Sequence, residues 1–217
     1  MNPSPSARRR GVYLITPDEP DTGRLLARLQ PLLAEGPALL QYRNKAAGPG
    51  LRREQAAALA RACAAAGVAL VVNDDWRLAL EIGALGAHLG EHDGDLRQAR
   101  REAPRLWLGA SCYDQLERAR DAVAAGADYV AFGAFFPSGT KPGARRADPR
   151  LLLDSAGLGC TRVAIGGVTP DNAGLLVAAG ADLVAVIGAV FDAPDPVAAL
   201  RAFRRSFDPN PTETTLP

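Results

Sequence analysis

The stretch Gln41-Tyr42-Arg43-Asn44-Lys45 places an amide, a guanidinium and an ammonium at alternate positions, so an extended backbone points Gln41, Arg43 and Lys45 to one side. A planar fork and a mobile point charge together suit a diphosphate, although a solvated charged loop explains this stretch equally well by itself. Asn73-Asp74-Asp75 follows the apolar Leu70-Val71-Val72, and Asp93 closes His88-Leu89-Gly90-Glu91-His92-Asp93. Magnesium is commonly held by one or two carboxylates together with phosphate oxygens and water, and Asp74 with Asp93 could form that half-cage. One of Asp74 and Asp75 is expected instead to cap the following helix. His88 reads as a packed, hydrogen-bonded histidine and His92 as a loop residue, and without another histidine at ligand spacing zinc is not expected.

Gly109-Ala110-Ser111 offers a hydroxyl with no histidine and aspartate arrangement to make it a nucleophile, so it is expected to hydrogen-bond. Cys112 beside it reads as inert. The segment 133–143 is rich in glycine and hydroxyls. In it Ser138 and Thr140 can donate to phosphate oxygens and Lys141 can neutralise a leaving group, in a loop that closes over an anion. Ile165-Gly166-Gly167 and Ile187-Gly188 are glycine-ended apolar runs at which backbone N–H groups can meet a phosphate.

These groups share one position: each follows a short β-branched or aliphatic run. The candidate strands are Val12-Ile15, Leu39-Tyr42, Ala69-Val72, Gly86-Leu89, Leu106-Gly109, Tyr129-Phe132, Arg162-Ile165 and Leu183-Ile187. The patterning predicts helices over Thr22-Ala34, Arg52-Ala65, Trp76-Ile82, Leu96-Glu102, Asp114-Ala124, Pro149-Asp154, Pro170-Ala179 and Pro196-Arg205. Gly67, Gly126 and Gly180 each stand where a left-handed residue would end a helix. Eight strand–helix units predict an α/β fold of the (β/α)8 TIM-barrel type, which gathers all strand ends on one face. A doubly wound open sheet is the competing architecture. It is disfavoured because no Gly-x-Gly-x-x-Gly follows the first strand and the polar residues are spread over many strand ends.

The composition agrees with one domain: 217 residues, 47% hydrophobic and 23% charged. Twenty-five Lys plus Arg against 24 Asp plus Glu leave no overall field for nucleic acid or an anionic membrane, so anion recognition must be local. No apolar run reaches the roughly 18 residues of a membrane helix. Cys63, Cys112 and Cys160 make neither a disulfide framework nor a zinc site, which points to a reducing, cytoplasmic setting. Residues 1–10 and 207–217 are expected to be flexible tails around a barrel of residues 11–206.

Taken in order from about Val12 to Ala202, these motifs resemble those of the thiamine-phosphate synthase family. The specificity lies in the whole set: Gln41 to Lys45, Asn73-Asp74, His88-Leu89-Gly90 with Asp93, Gly109-Ala110-Ser111, Pro137 to Lys141, and Ala164-Ile165-Gly166-Gly167. The resemblance implies a TIM-barrel transferase of vitamin B1 biosynthesis that joins a hydroxymethylpyrimidine diphosphate to a thiazole phosphate, releasing diphosphate. Carried over motif by motif, it implies that Gln41, Tyr42, Arg43, Asn44, Lys45, Asn73, Ser111 and Lys141 meet the pyrimidine diphosphate. Arg43, Lys45, Ser111 and Lys141 would serve the chemical step. It also implies that Asp74 and Asp93 hold Mg2+, and that Ser138, Gly139, Thr140, Gly167, Ile187 and Gly188 meet the thiazole phosphate. The implied chemistry is dissociative, with a pyrimidine cation captured by the thiazole nitrogen and no protein nucleophile. The implied partners are the two small molecules, without nucleic acid or membrane, and a homo-oligomer is left open.

The chain departs from the family pattern where Gly188 replaces the usual serine, Asp75 the common arginine, Glu91-His92 the commoner Gln-Glu, and Ser138 the more usual threonine. Two other readings use the same fold: an isomerase related to thiazole tautomerase, and a non-catalytic sensor of phosphorylated thiamine precursors. Neither needs Arg43, Lys45, Asp74, Asp93 and Lys141 together.

Overall fold

The computed structural model describes residues 9–137 and 146–208. The candidate site residues Ser138, Gly139, Thr140 and Lys141 lie outside them, as do the ends of both expected tails. Eight strands close into a barrel in sequence order. They are β1 (Gly11–Ile15), β2 (Leu39–Tyr42), β3 (Leu70–Asn73), β4 (Gly86–Leu89), β5 (Trp107–Tyr113), β6 (Tyr129–Phe132), β7 (Thr161–Ile165) and β8 (Leu183–Val186). Every neighbouring pair is parallel, and β1 pairs β8 to complete the circle.

The helices are α1 (Thr22–Ala34), α2 (Pro49–Ala66), α3 (Trp76–Glu81), α4 (Leu96–Glu102), α5 (Leu116–Ala124), α6 (Arg150–Asp154), α7 (Pro170–Ala178), α8 (Gly188–Phe191) and α9 (Pro196–Arg205). Their starts follow from local chemistry. Asp21, Asp75, Asp95 and Asp195 each accept a backbone N–H in the first turn of α1, α3, α4 and α9. Gly67, Gly126 and Gly180 all have positive φ just past a helix, as their spacing predicts.

Two cores follow from the period-two pleat. Tyr13, Leu39, Val71, Trp107, Tyr129, Val163 and Leu183 fill the barrel interior. Val12, Leu40, Val72, Leu108, Val130, Ala164 and Val184 pack outward against the helices. Burial on both faces is why these strands read as continuous apolar runs rather than alternating ones. A fully buried leucine such as Leu39 contributes roughly 2 kcal/mol. Gly109 is required inside: a Cβ there would stand 1.8 Å from Cζ of Tyr129, whose ring crosses β5 and stacks on Trp107 at 4.2 Å between centroids.

The floor, at the amino ends of the strands, repeats one clasp. Ala-Gly-Ala-Asp occurs at 125–128 and again at 179–182. Asp128 accepts from the Leu108 N–H at 2.7 Å and from Arg100 at 2.5 Å. Asp182 accepts from the Arg162 N–H at 2.9 Å and from its Nε at 3.2 Å. The glycine of each repeat seats the arginine, since a Cβ on Gly126 or Gly180 would lie 2.9 Å from Arg100 Cγ or Arg162 Nη1. Arg9 and Arg10 also reach this part of the fold, their guanidinium carbons 5.9 Å and 5.6 Å from the ring centroids of Trp107 and Phe207.

Two local differences from the pattern-based expectation have physical causes. Strand β5 runs on to Tyr113 through a register shift between Ser111 and Tyr113, so Asp114 is not helical and α5 begins at Leu116. The four-residue α8 is too short to carry an amphipathic period. Among the described residues no helix is long and apolar enough to cross a membrane.

Candidate active site

The carboxyl ends of β2, β3, β4 and β5 bring the polar residues together. Gln41 lies inside the barrel, its Nε2 donating to the Tyr13 hydroxyl at 2.8 Å. Arg43 and Lys45 leave the strand end and are held from the loop after β1. Thr16 Oγ1 both accepts from the Arg43 N–H and donates to the Arg43 carbonyl, each at 2.8 Å. Asp18 accepts from the Lys45 N–H at 2.8 Å and pairs with Arg43 Nη1 at 3.4 Å. Tyr42 and Asn44 turn the other way, both donating to Oε1 of Gln55 on α2, at 2.9 and 3.0 Å. Asn44 donates further to the Glu19 carbonyl. The structure therefore gathers Gln41, Arg43 and Lys45 but not the side chains of Tyr42 and Asn44. Burial pushes the Tyr42 phenol up to about 12.

Asp74 and Asp75 divide the two roles their sequence allows. Asp75 caps α3 by accepting from the Leu78 N–H at 2.9 Å. Asp74 takes a left-handed backbone, φ 66°, with its N–H donating to the His88 carbonyl at 2.8 Å. Its carboxylate is thus freed from capping and lies 3.5 Å from Lys45 Nζ. Asp93 folds back over Gly90, accepting its N–H at 3.0 Å, and a Cβ on residue 90 would come within 2.4 Å of that carboxylate. The carboxyls of Asp74 and Asp93 interact directly. Burial, then Asp93, holds Asp74 above the usual carboxylate range, with Lys45 pulling the other way.

This donor set fits magnesium. Two facing carboxylates want a cation between them, and among the described residues no group of three or more His, Cys, Asp or Glu could hold a metal. Substrate oxygens and water would have to complete the shell, which is how magnesium is usually held.

Below the carboxylates, His88 Nε2 lies 2.9 Å from Ser111 Oγ, and Nδ1 lies 3.1 Å from the Tyr129 hydroxyl. Burial takes the imidazole down to about 4, against the pull of Asp93, so it is neutral at pH 7. Cys112 is buried and its thiol is raised to about 12, as expected of an inert residue. Asn73 ends β3, in register with His88.

Across the mouth, the start of the loop after β6 is stitched to the end of β7. Phe135 and Phe136 donate to the carbonyls of Ile165 and Gly166 at 3.2 and 3.0 Å. Gly167 lies against them, and a Cβ there would meet the Pro137 and Phe136 carbonyl oxygens at 2.3 and 2.5 Å. The described chain therefore delivers Pro137 to Gly167. Ile187 and Gly188 open α8 at the end of β8.

Thr16 and Asp18, which support Arg43 and Lys45, and Glu19, whose carbonyl accepts from Asn44 and Gln55, are not marked out by the sequence. Their run Thr16-Pro17-Asp18-Glu19-Pro20 reads as a plain turn, and the one available signal was its place after a strand.

The sequence model described as thiamine monophosphate synthase matches residues 12–190. The thiamine-phosphate synthase of Xanthomonas campestris pv. campestris (strain 8004) is 57% identical over 199 residues, covering 91% of this chain and 96% of the relative. That of Xylella fastidiosa (strain Temecula1) is 52% identical, covering 92% and 85%. The solved thiamine phosphate pyrophosphorylase from Pyrococcus furiosus superposes with a TM-score of 0.80 at 30% identity, covering 92% of this chain and 96% of that one. A 3-hexulose-6-phosphate synthase, with a TM-score of 0.66 at 20% identity, shares the fold alone. A match along most of the barrel, with relatives more than half identical over nine-tenths of the sequence, admits one assignment: the chain belongs to the thiamine-phosphate synthase family of transferases.

Proposed function

We propose that the barrel mouth joins a hydroxymethylpyrimidine diphosphate to a thiazole phosphate, releasing diphosphate and forming thiamine phosphate. Beyond family membership, the observation that carries this reading is the meeting of Asp74 with Asp93 beside Lys45, an arrangement with little structural purpose and a clear use for a cation-bound diphosphate. Asp74 and Asp93 would hold Mg2+, which when bound draws negative charge from the diphosphate and makes it a better leaving group.

The chain's own residues supply the rest. Arg43 and Lys45, with backbones fixed by Thr16 and Asp18, present their charges to the diphosphate without reorganising. Gln41 and Ser111 orient the pyrimidine diphosphate from below, Asn73 from the end of β3, and Lys141 takes up charge on the departing group. Ser138, Gly139, Thr140, Gly167, Ile187 and Gly188 would receive the thiazole phosphate on the opposite side. Bond breaking precedes bond making: diphosphate leaves the pyrimidine methylene, and the thiazole nitrogen captures the cation. The packed barrel interior beneath, its polar groups hydrogen-bonded to one another, keeps water from that cation. Three buried free thiols support placing the reaction in the cytoplasm.

Purified protein with magnesium and both substrates should form thiamine phosphate and diphosphate, and a chelator should stop it. Product binding without turnover would favour a sensor. Lys141→Ala should lower turnover by about a hundred- to a thousandfold, and a near-normal rate would remove its assigned role.

A further inference from the structure

Inside the barrel, four hydrogen bonds join five side chains from five strands into one line. Gln41 Nε2 donates to the Tyr13 hydroxyl at 2.8 Å, and that hydroxyl lies 3.0 Å from the hydroxyl of Tyr129. Tyr129 meets His88 Nδ1 at 3.1 Å, and His88 Nε2 meets Ser111 Oγ at 2.9 Å. Gly109 exists to let the Tyr129 ring into this line.

The order of the protons follows from the one fixed donor. Tyr13 takes the Gln41 hydrogen on its oxygen, and among the described residues the acceptor left for its own O–H is Tyr129. Tyr129 must then donate to His88 Nδ1, which is therefore unprotonated, and the imidazole carries its hydrogen on Nε2. The reverse order would leave the Tyr13 hydroxyl hydrogen buried without a partner, at a cost of desolvation with nothing in return. With Nε2–H donating to Ser111 Oγ, the Ser111 hydrogen is the end of the line, and among the described residues no group accepts it.

We propose that His88 is a positioning residue: the Tyr13–Tyr129 pair fixes it as the Nε2–H tautomer, and it makes Ser111 an obligate donor to an acceptor atom of the pyrimidine diphosphate. The last step rests on the synthase reading above, whereas the tautomer does not. Specificity follows, since a site built to give one hydrogen discriminates against an analogue that offers a donor at that atom.

The chain contains only two histidines, His88 and the exposed His92, so histidine labelled with nitrogen-15 gives two imidazoles to resolve in long-range proton–nitrogen spectra of the full chain. His88 should be a single Nε2–H tautomer. In Ser111→Ala, which removes the partner of Nε2 but leaves the Tyr129 hydroxyl donating to Nδ1, that tautomer should persist. A wild-type His88 in the Nδ1–H form, or a switch to that form in Ser111→Ala, overturns the proposal. In turnover, His88→Gln keeps a side-chain N–H for Ser111 and should lie within about threefold of wild type in kcat/KM, whereas His88→Leu should fall about thirtyfold, chiefly in kcat. Equal losses in the two variants would reduce His88 to packing. Absence of turnover in the wild type would sink the synthase reading and leave the spectra to decide the tautomer.

Discussion

At the floor of the barrel, Asp128 and Asp182 each receive a backbone N–H and an arginine, whereas at the mouth Asp74 and Asp93 share one N–H, from Gly90, and one ammonium, from Lys45 at 3.5 Å, and stand against each other. The same residue type is satisfied at one end and left in repulsion at the other. Floor carboxylates therefore belong to stability and, on the function proposed above, mouth carboxylates to chemistry, a division that barrels make between their two faces. The mouth tolerates its repulsion because the floor and the double core hold the strands regardless.

The sharpest way to break this contrast is Asp74→Asn, which removes one mouth charge and keeps a residue at ease in the left-handed backbone. Turnover with magnesium should drop by about a hundred- to a thousandfold, while the melting temperature stays level or rises. A large loss of stability would mean that Asp74 is structural. Next comes Asp182→Ala, which leaves the Arg162 guanidinium and N–H without their carboxylate. It should cost about 3 kcal/mol in denaturant unfolding and leave kcat near that of wild type; the opposite pattern would erase the distinction between the ends.

Asp18→Ala tests the support between them, since Asp18 fixes the Lys45 backbone and the Arg43 fork. The expected loss is about tenfold in kcat/KM with little change in stability, and an unchanged kcat/KM would leave Asp18 without a positioning role. The smallest effect belongs to Gly188→Ser. A Cβ there would stand 2.7 Å from the Asp192 carboxylate, whose ion-pair partner among the described residues is Arg28 at 4.0 Å and which can swing away. KM for the thiazole phosphate should fall about threefold as a hydroxyl is gained, and a rise would exclude a phosphate at that helix start.

Much of this was legible in the sequence because the signal was local. Strands such as Leu39–Tyr42 and Tyr129–Phe132 are dense apolar runs bounded by polar residues, and the alternation over Gln41, Arg43 and Lys45 survives folding. The role of Asp75 was settled only by geometry, since a cap and a ligand look alike in Asn73-Asp74-Asp75. The interior line was illegible for another reason. Tyr13 and Tyr129 stand 116 residues apart, and only closure of the barrel makes them neighbours. Local pattern likewise could not distinguish the end of β5 at Tyr113, because a bulge has no periodicity of its own.

The left-handed backbone at Asp74 constrains which sequences can occupy that position even when no chemistry is asked of them. Only glycine and residues with short polar side chains adopt φ near +60° at small cost. A library randomised at residue 74 and sorted purely for folded expression should therefore converge on Gly, Asn and Asp before any substrate is offered. Selection for turnover would then act on a set already narrowed to three residues, of which one carries a charge.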